Sequence, residues 1–85
     1  MIYSILLAPS AERQRNTLAG PIQKLLIKRL HTLAANPRPQ GVKKLASEDD
    51  LYRIREGDHR IIYTIRDKEL IVLVVKIGAR KEIYR

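Results

Sequence analysis

The chain has 85 residues, 45% of them hydrophobic, which suits one modest core in a single domain spanning 1–85 and leaves no room for a large internal pocket. Seventeen Lys and Arg against nine Asp and Glu give a net charge of +8, which points away from a neutral surface and towards polyanions: nucleic acid, an anionic membrane face or an acidic protein. Cysteine is absent, so disulfides and thiolate metal sites are excluded, and the two histidines, His31 and His59, are far apart in sequence; neither metal nor cofactor is expected.

Ile2 to Leu7 is a short run rich in β-formers and stopped by Pro9, which predicts a strand buried on both faces. Ser10 is the expected N-cap of a first helix that continues through Glu12, Arg13 and Gln14 and ends near Gly20. Pro21 suits the first turn of a second helix. In IQKLLIKRLHTLAAN the residues Ile22, Leu25, Leu26, Leu30 and Leu33 recur at helical spacing, with Lys24, Lys28 and Arg29 elsewhere around the cylinder. That helix stops at Asn36-Pro37. The stretch NPRPQGVKKLASEDD reads as loop, with the acids Glu48, Asp49 and Asp50 solvated. No apolar run approaches the ~20 residues of a bilayer span. The opening MIYSILLAPS lacks the basic segment of a secretory signal, so the expectation is a cytoplasmic protein with no membrane partner.

Beyond the loop the period changes from helical to strand-like. Tyr52 to Arg55, His59 to Ile65 and Leu70 to Ile77 predict three strands, with turns at Gly57-Asp58 and Asp67-Lys68 and a further turn at Gly78. The order β-α-α-β-β-β predicts an α+β fold of two layers: a mostly antiparallel sheet with two N-terminal helices on one face. A two-residue turn at Gly57-Asp58 sets Glu56 opposite His59, Arg55 opposite Arg60, Ile54 opposite Ile61 and Tyr52 opposite Tyr63. Opposed residues share a face, and faces alternate along a strand. Tyr52, Ile54, Ile61, Tyr63 and Ile65 therefore collect on the core face, while Arg53, Arg55 and Arg60 gather on the other with Ile62, Leu73 and Val75.

Like charges directly opposed in a sheet cost ~0.2–1 kcal/mol per pair. Three arginines around an apolar centre therefore read as a concavity for an anion rather than as a solvated face. His59 falls on the opposite face and is expected to be structural, as is His31. Arg80, Lys81, Tyr84 and Arg85 follow the last strand, from which Arg80 and Tyr84 can reach the same concavity. Arginine forks suit phosphate oxygens and a tyrosine ring stacks on an unpaired base, so the combination favours single-stranded nucleic acid. Lys43 and Lys44, just before the hairpin, can add phosphate contacts. No carboxylate pair, Ser-His-Asp set, glycine-rich phosphate loop or metal-ligand cluster stands out.

The stretch KKLASEDDLYRIREGDHRIIYTIRDKELIVLVVKIGARKEIYR resembles the C-terminal half of the RelE toxins of the RelE/ParE superfamily, from bacterial toxin–antitoxin systems. The likeness lies in a Lys-Leu before the hairpin, the Tyr-Arg-Ile-Arg strand, Gly-Asp at the turn, Arg-Ile-Ile-Tyr after it, and an apolar strand closed by Gly-x-Arg and a terminal Tyr. The N-terminal strand and helix pair match in order and length, so the resemblance covers almost the whole chain. It implies a ribosome-dependent, metal-independent endoribonuclease that cuts messenger RNA in the decoding site by attack of a ribose 2′-hydroxyl on the adjacent phosphate.

The resemblance implies roles by position. Arg53 occupies the place of the group that activates the 2′-hydroxyl, and Arg55 that of a donor to the leaving oxygen. Arg60 holds the phosphate, Arg80 stabilises charge on it, and Tyr84 stacks on the messenger; Lys43, Lys44, Lys81 and Arg85 are expected RNA contacts. Some family members carry lysine at the first two places, and a guanidinium is a poor proton acceptor, so charge stabilisation is the firmer role for Arg53 and Arg55. The implied partners are a RelB-type antitoxin, whose acidic or amphipathic segment wraps the toxin, the ribosome with its messenger, and operator DNA bound through the antitoxin. Two alternatives stay open: a ParE-like inhibitor of DNA gyrase, and a non-catalytic nucleic-acid-binding module.

Overall fold

The structure, a computed structural model, describes residues 2–45 and 50–79. In chain order the elements are β1 (Ser4–Leu7), α1 (Pro9–Asn16), α2 (Gly20–Ala35), β2 (Lys43–Lys44), β3 (Leu51–Glu56), β4 (His59–Arg66) and β5 (Ile71–Ala79). The strands form one sheet in the order β1-β5-β4-β3-β2. Strand β1 runs parallel to β5 and every other pair is antiparallel. Both helices lie on one face, where Ala11, Leu26, Leu30 and Leu33 meet Ile54, Ile61, Tyr63, Ile65, Val72, Val74 and Ile77. The two-layer α+β architecture is the one expected, with one strand added: β2 lies inside the stretch read as loop. Two residues are too few to show an alternating pattern, so only pairing with β3 reveals it.

Several local expectations are corrected. Strand β1 is not buried on both faces: it is an edge strand whose Ser4 and Leu6 are exposed, because the helices cover only the side of Ile5 and Leu7. Ser10 is not the cap of α1, which begins at Pro9 with Ala8 as its cap residue and ends at Asn16 rather than near Gly20. Proline has no N–H to satisfy and its fixed φ suits the first turn, so it takes the start of the helix. In α2 the buried stripe is Leu26, Leu30 and Leu33, spaced by four and three residues, while Leu25 lies one position round the cylinder and is 51% exposed.

The largest departure from simple alternation is in β5. The partners are Ile62 with Lys76 and Tyr63 with Val74, so Val75 is an extra residue, a bulge. Without it, Leu73, Val75 and Ile77 would share the arginine face. The bulge shifts the phase by one residue, sends Ile77 into the core and turns Lys76 to the opposite face. Helix α1 serves the backbone where β5 outruns β1: Ser10 Oγ donates to the Val75 carbonyl at 3.2 Å, and Gln14 Oε1 accepts from the Ile77 N–H at 2.8 Å. These side chains satisfy an edge that would otherwise stay open. The strand also continues through Gly78 to Ala79 instead of turning at the glycine.

At the end of the sheet away from Gly57, polar contacts tie the layers together. The Tyr63 hydroxyl donates to the Pro37 carbonyl at 2.7 Å, and its ring stacks on Tyr52 with centroids 5.9 Å apart. Burial, with the neighbouring Tyr52 second, pushes the Tyr63 phenol up to about 12. Arg38 lies over the Tyr52 ring at 5.6 Å and donates to both carboxylate oxygens of Asp67 at 3.1 and 2.9 Å. Tyr3 donates to the same carboxylate at 2.7 Å. The Arg38 fork, then the Tyr3 hydroxyl, hold Asp67 down at about 2. Among the described residues no helix is long and apolar enough to cross a membrane.

Candidate nucleic-acid interface

The hairpin of β3 and β4 has the register read from its turn length, with Glu56 opposite His59, Arg55 opposite Arg60 and Arg53 opposite Ile62. Gly57 makes the turn with φ of +61°, while Asp58 does not take positive φ. That is the pattern of a two-residue turn with glycine in the first central position, whose twist matches the strands. The turn locks the phase, and the phase decides which face receives the arginines.

On the face away from the helices the side chains fall into cross-strand rows. Nearest the turn, Arg55, Arg60 and Gly78 lie side by side. The next row, ~7 Å along the strands, holds Lys43, Arg53, Ile62 and Lys76. The third holds Leu51, Thr64, Leu73 and Leu6. Five cations thus occupy two rows at one end, and an apolar patch occupies the other. Gly78 supplies no side chain beside Arg60, and Arg60 is only 2% exposed although it belongs to the open face. Arg55, Lys43 and Lys76 are exposed, and Arg53 is half-buried.

Opposed cations raise the potential over this face, and nearby Ile62, 8% exposed, gives it a low-dielectric floor that strengthens the attraction for an anion. The arrangement can hold phosphate oxygens with forked donors and stabilise negative charge that develops on them. Arginine side chains do not readily accept protons, so their contribution is electrostatic.

The positions marked in the sequence divide as follows. Arg53, Arg55, Arg60 and Lys43 come together on the open face. Lys44 pairs with Tyr52, so its row belongs to the helix side. Arg80, Lys81, Tyr84 and Arg85 lie outside the described residues, as do Glu48 and Asp49. His59 falls on the helix side beside Ile22, Leu26 and Glu56, across the sheet from the arginines. Lys76 is an addition that alternation hides, because its place depends on the Val75 bulge inside an unbroken apolar run. Arg29 of α2 is another: its Nε donates to Glu56 at 2.9 Å, and its side chain reaches a groove lined also by Lys43, Arg53 and Arg55. Helical periodicity marked it only as outward-facing.

The comparisons with known proteins agree with this architecture. The family described as the ParE toxin of the type II toxin–antitoxin system matches residues 5–84. A toxin candidate named RelE1 from Methanocaldococcus jannaschii is 32% identical over 59 residues, 66% of each chain. The mRNA interferase toxin RelE of Escherichia coli is 27% identical over 88 aligned positions, covering 99% of this chain and 92% of that one. In the crystal structure of the archaeal RelE–RelB complex from Pyrococcus horikoshii, the matched chain superposes with a TM-score of 0.81 at 26% identity, covering 94% of this chain and 97% of that one. The chain belongs to the RelE/ParE superfamily, as a toxin of the type II toxin–antitoxin class.

Proposed function

We propose that the protein is a ribosome-dependent endoribonuclease, acting in the cytoplasm as a single domain, that cleaves messenger RNA in the decoding site. The observation that carries this reading is the gathering of Arg53, Arg55 and Arg60 with Lys43 and Lys76 on one sheet face. The relative from Escherichia coli, named an mRNA interferase toxin, supports the substrate. In the reaction the ribose 2′-oxygen bonds to the adjacent phosphorus and the bond from phosphorus to the 5′-oxygen breaks. The products are a 2′,3′-cyclic phosphate and a 5′-hydroxyl; one proton leaves the attacking oxygen and one reaches the leaving oxygen.

Arg53, Arg55 and Arg60 fix the phosphate and offset the charge on its non-bridging oxygens as the fifth bond forms. Arg80 joins them, and Tyr84 stacks on a base of the messenger. Lys43, Lys81 and Arg85 contact the RNA backbone, Lys44, expected from the sequence to do so too, has its row on the helix side, and no metal ion is needed for the charge balance. The antitoxin partner is of RelB type, a reading supported by the complex from Pyrococcus horikoshii. Its acidic or amphipathic segment wraps the toxin, and the complex binds operator DNA through the antitoxin.

Primer extension on a defined messenger, with and without programmed ribosomes, compares wild type with Arg80→Ala. Cuts within the decoding-site codon, seen only with ribosomes and lost in the variant, are the expected result. The family description as a ParE toxin favours one other reading, inhibition of DNA gyrase. Folded protein that halts growth, leaves messenger intact and blocks DNA supercoiling would replace the nuclease with that reading.

A further inference from the structure

The cationic surface does not stop at the open face. Strand β2 pairs with β3 only as far as Lys43 and Arg53, so among the described residues the outer edge of Ile54 to Glu56 has no neighbouring strand. The Leu51 carbonyl accepts from the Leu45 N–H at 2.9 Å, so Leu51 directs its backbone groups towards the β2 side. By alternation, Arg53 and Arg55 do the same. The N–H of Arg55 therefore points out over an edge that β2 does not reach.

A groove of about 320 Å³ lies at that edge, lined by Arg29, Gln40, Gly41, Lys43, Arg53, Ile54 and Arg55. Arg29 comes from α2, on the other layer, and is held in place by the bond from its Nε to Glu56. The carboxylate orients the guanidinium through Nε, and among the described residues no hydrogen bond takes up its two terminal nitrogens. An arginine positioned through Nε, a lysine and an outward backbone N–H around one groove are the donors that a phosphate takes. The wall has a single apolar residue, Ile54, and so offers little to the side chains of an amphipathic peptide.

We infer that this groove is a second phosphate subsite, which takes the phosphodiester next to the one held on the open face and guides the single strand around the edge of β3. Arg29 and Lys43 are its side-chain donors, the Arg55 N–H is its backbone donor, and Glu56 is a positioning residue that acts through Arg29. The inference rests on the nuclease reading only in taking the strand to be RNA.

The test is equilibrium binding of a short single-stranded oligoribonucleotide to the isolated toxin across a salt series, without ribosomes. Arg29→Ala and Lys43→Ala are each expected to weaken binding about tenfold at low salt. Each should also reduce the slope of log affinity against log salt by about 0.7, the value for one lost single-strand phosphate contact. Lys68→Ala removes the same charge at the exposed turn after β4 and should leave the slope near wild type. Glu56→Gln separates binding from folding: it breaks the pair but keeps the Arg29 charge, so RNA affinity holds or rises, whereas a merely structural Arg29–Glu56 pair makes both variants fall alike.

Equal effects of Arg29→Ala and Lys68→Ala would overturn the subsite. So would an absence of RNA binding by wild type, or an Arg29 dependence seen for an oligoglutamate probe and not for RNA. Cleavage scored separately keeps the two ideas apart: Arg29-dependent binding without ribosome-dependent cuts removes the nuclease and leaves the subsite standing.

Discussion

The two faces of the sheet use the same residue type in opposite ways. On the helix side Arg29 and Arg38 each meet a carboxylate, Glu56 and Asp67, at 2.9 Å, and Arg38 also covers the Tyr52 ring. On the open side Arg53, Arg55 and Arg60 are set among Lys43 and Lys76, with apolar residues beyond them. One arrangement spends its electrostatics on joining two layers, and the other gathers like charge on a single face. The proposed function thereby falls on one face of the sheet and the polar ties between layers on the other. The separation is incomplete at Arg29, which bonds Glu56 on the helix side and also reaches the groove lined by Lys43, Arg53 and Arg55.

If that separation holds, substitutions on the two faces should fail in different assays. The largest effect is expected in the core: Leu33→Ala removes a fully buried side chain between the layers and should cost ~2–5 kcal/mol. An 85-residue domain has roughly 4–13 kcal/mol in total, so denaturant unfolding should show a much lower midpoint, while cleavage per folded molecule is unchanged. Next comes Arg55→Ala on the open face. Ribosome-dependent cleavage should drop by about 10²-fold or more, as for the loss of one donor to a developing oxyanion. The thermal midpoint should stay close to wild type, because the side chain is exposed. A large loss of stability with cleavage kept would contradict the division of roles.

Two smaller effects concern the polar ties of the helix side. Tyr63→Phe leaves the Pro37 carbonyl without the hydroxyl that bonds it at 2.7 Å, at a cost of ~1–3 kcal/mol. The same phenol makes stability depend on alkaline pH. Its pKa is raised above the unfolded value near 10 to about 12, so its contribution is complete below pH 10 and is lost as pH rises towards 12. Unfolding curves between those values should be flatter for Tyr63→Phe than for wild type. The smallest change is expected at the exposed Asp67, whose pKa is held down at about 2 by the Arg38 fork and then the Tyr3 hydroxyl. Its contribution is complete above pH 4 and is lost as pH falls towards 2, so Asp67→Asn should flatten the acid limb of the stability curve and leave neutral pH nearly unchanged.

Much of the fold was legible because its signals are local. The helix of Gly20 to Ala35 shows itself by Leu26, Leu30 and Leu33, and the hairpin by Gly57-Asp58 between alternating runs. The grouping of Arg53, Arg55 and Arg60 follows from that turn alone, since a two-residue connection sets the register and the register sets the face. Less legible were features that depend on a distant neighbour. Lys43–Lys44 is a strand only because β3 lies beside it, and the edge position of β1 follows from its pairing with β5.

By itself, then, the sequence determined the order of every element except β2, the two layers and the phase of the arginine hairpin, because turn geometry and hydrophobic period act over a few residues. Tertiary structure alone decided that Val75 bulges, that Lys76 turns to the arginine face and Ile77 to the core, and that Arg29 of the helix layer meets the edge of β3. A bulge satisfies backbone groups through Ser10 and Gln14, about 60 residues earlier in the chain, and leaves no mark on an apolar run such as IVLVVKI. Contacts of that range are set by how the layers pack, which no local pattern encodes.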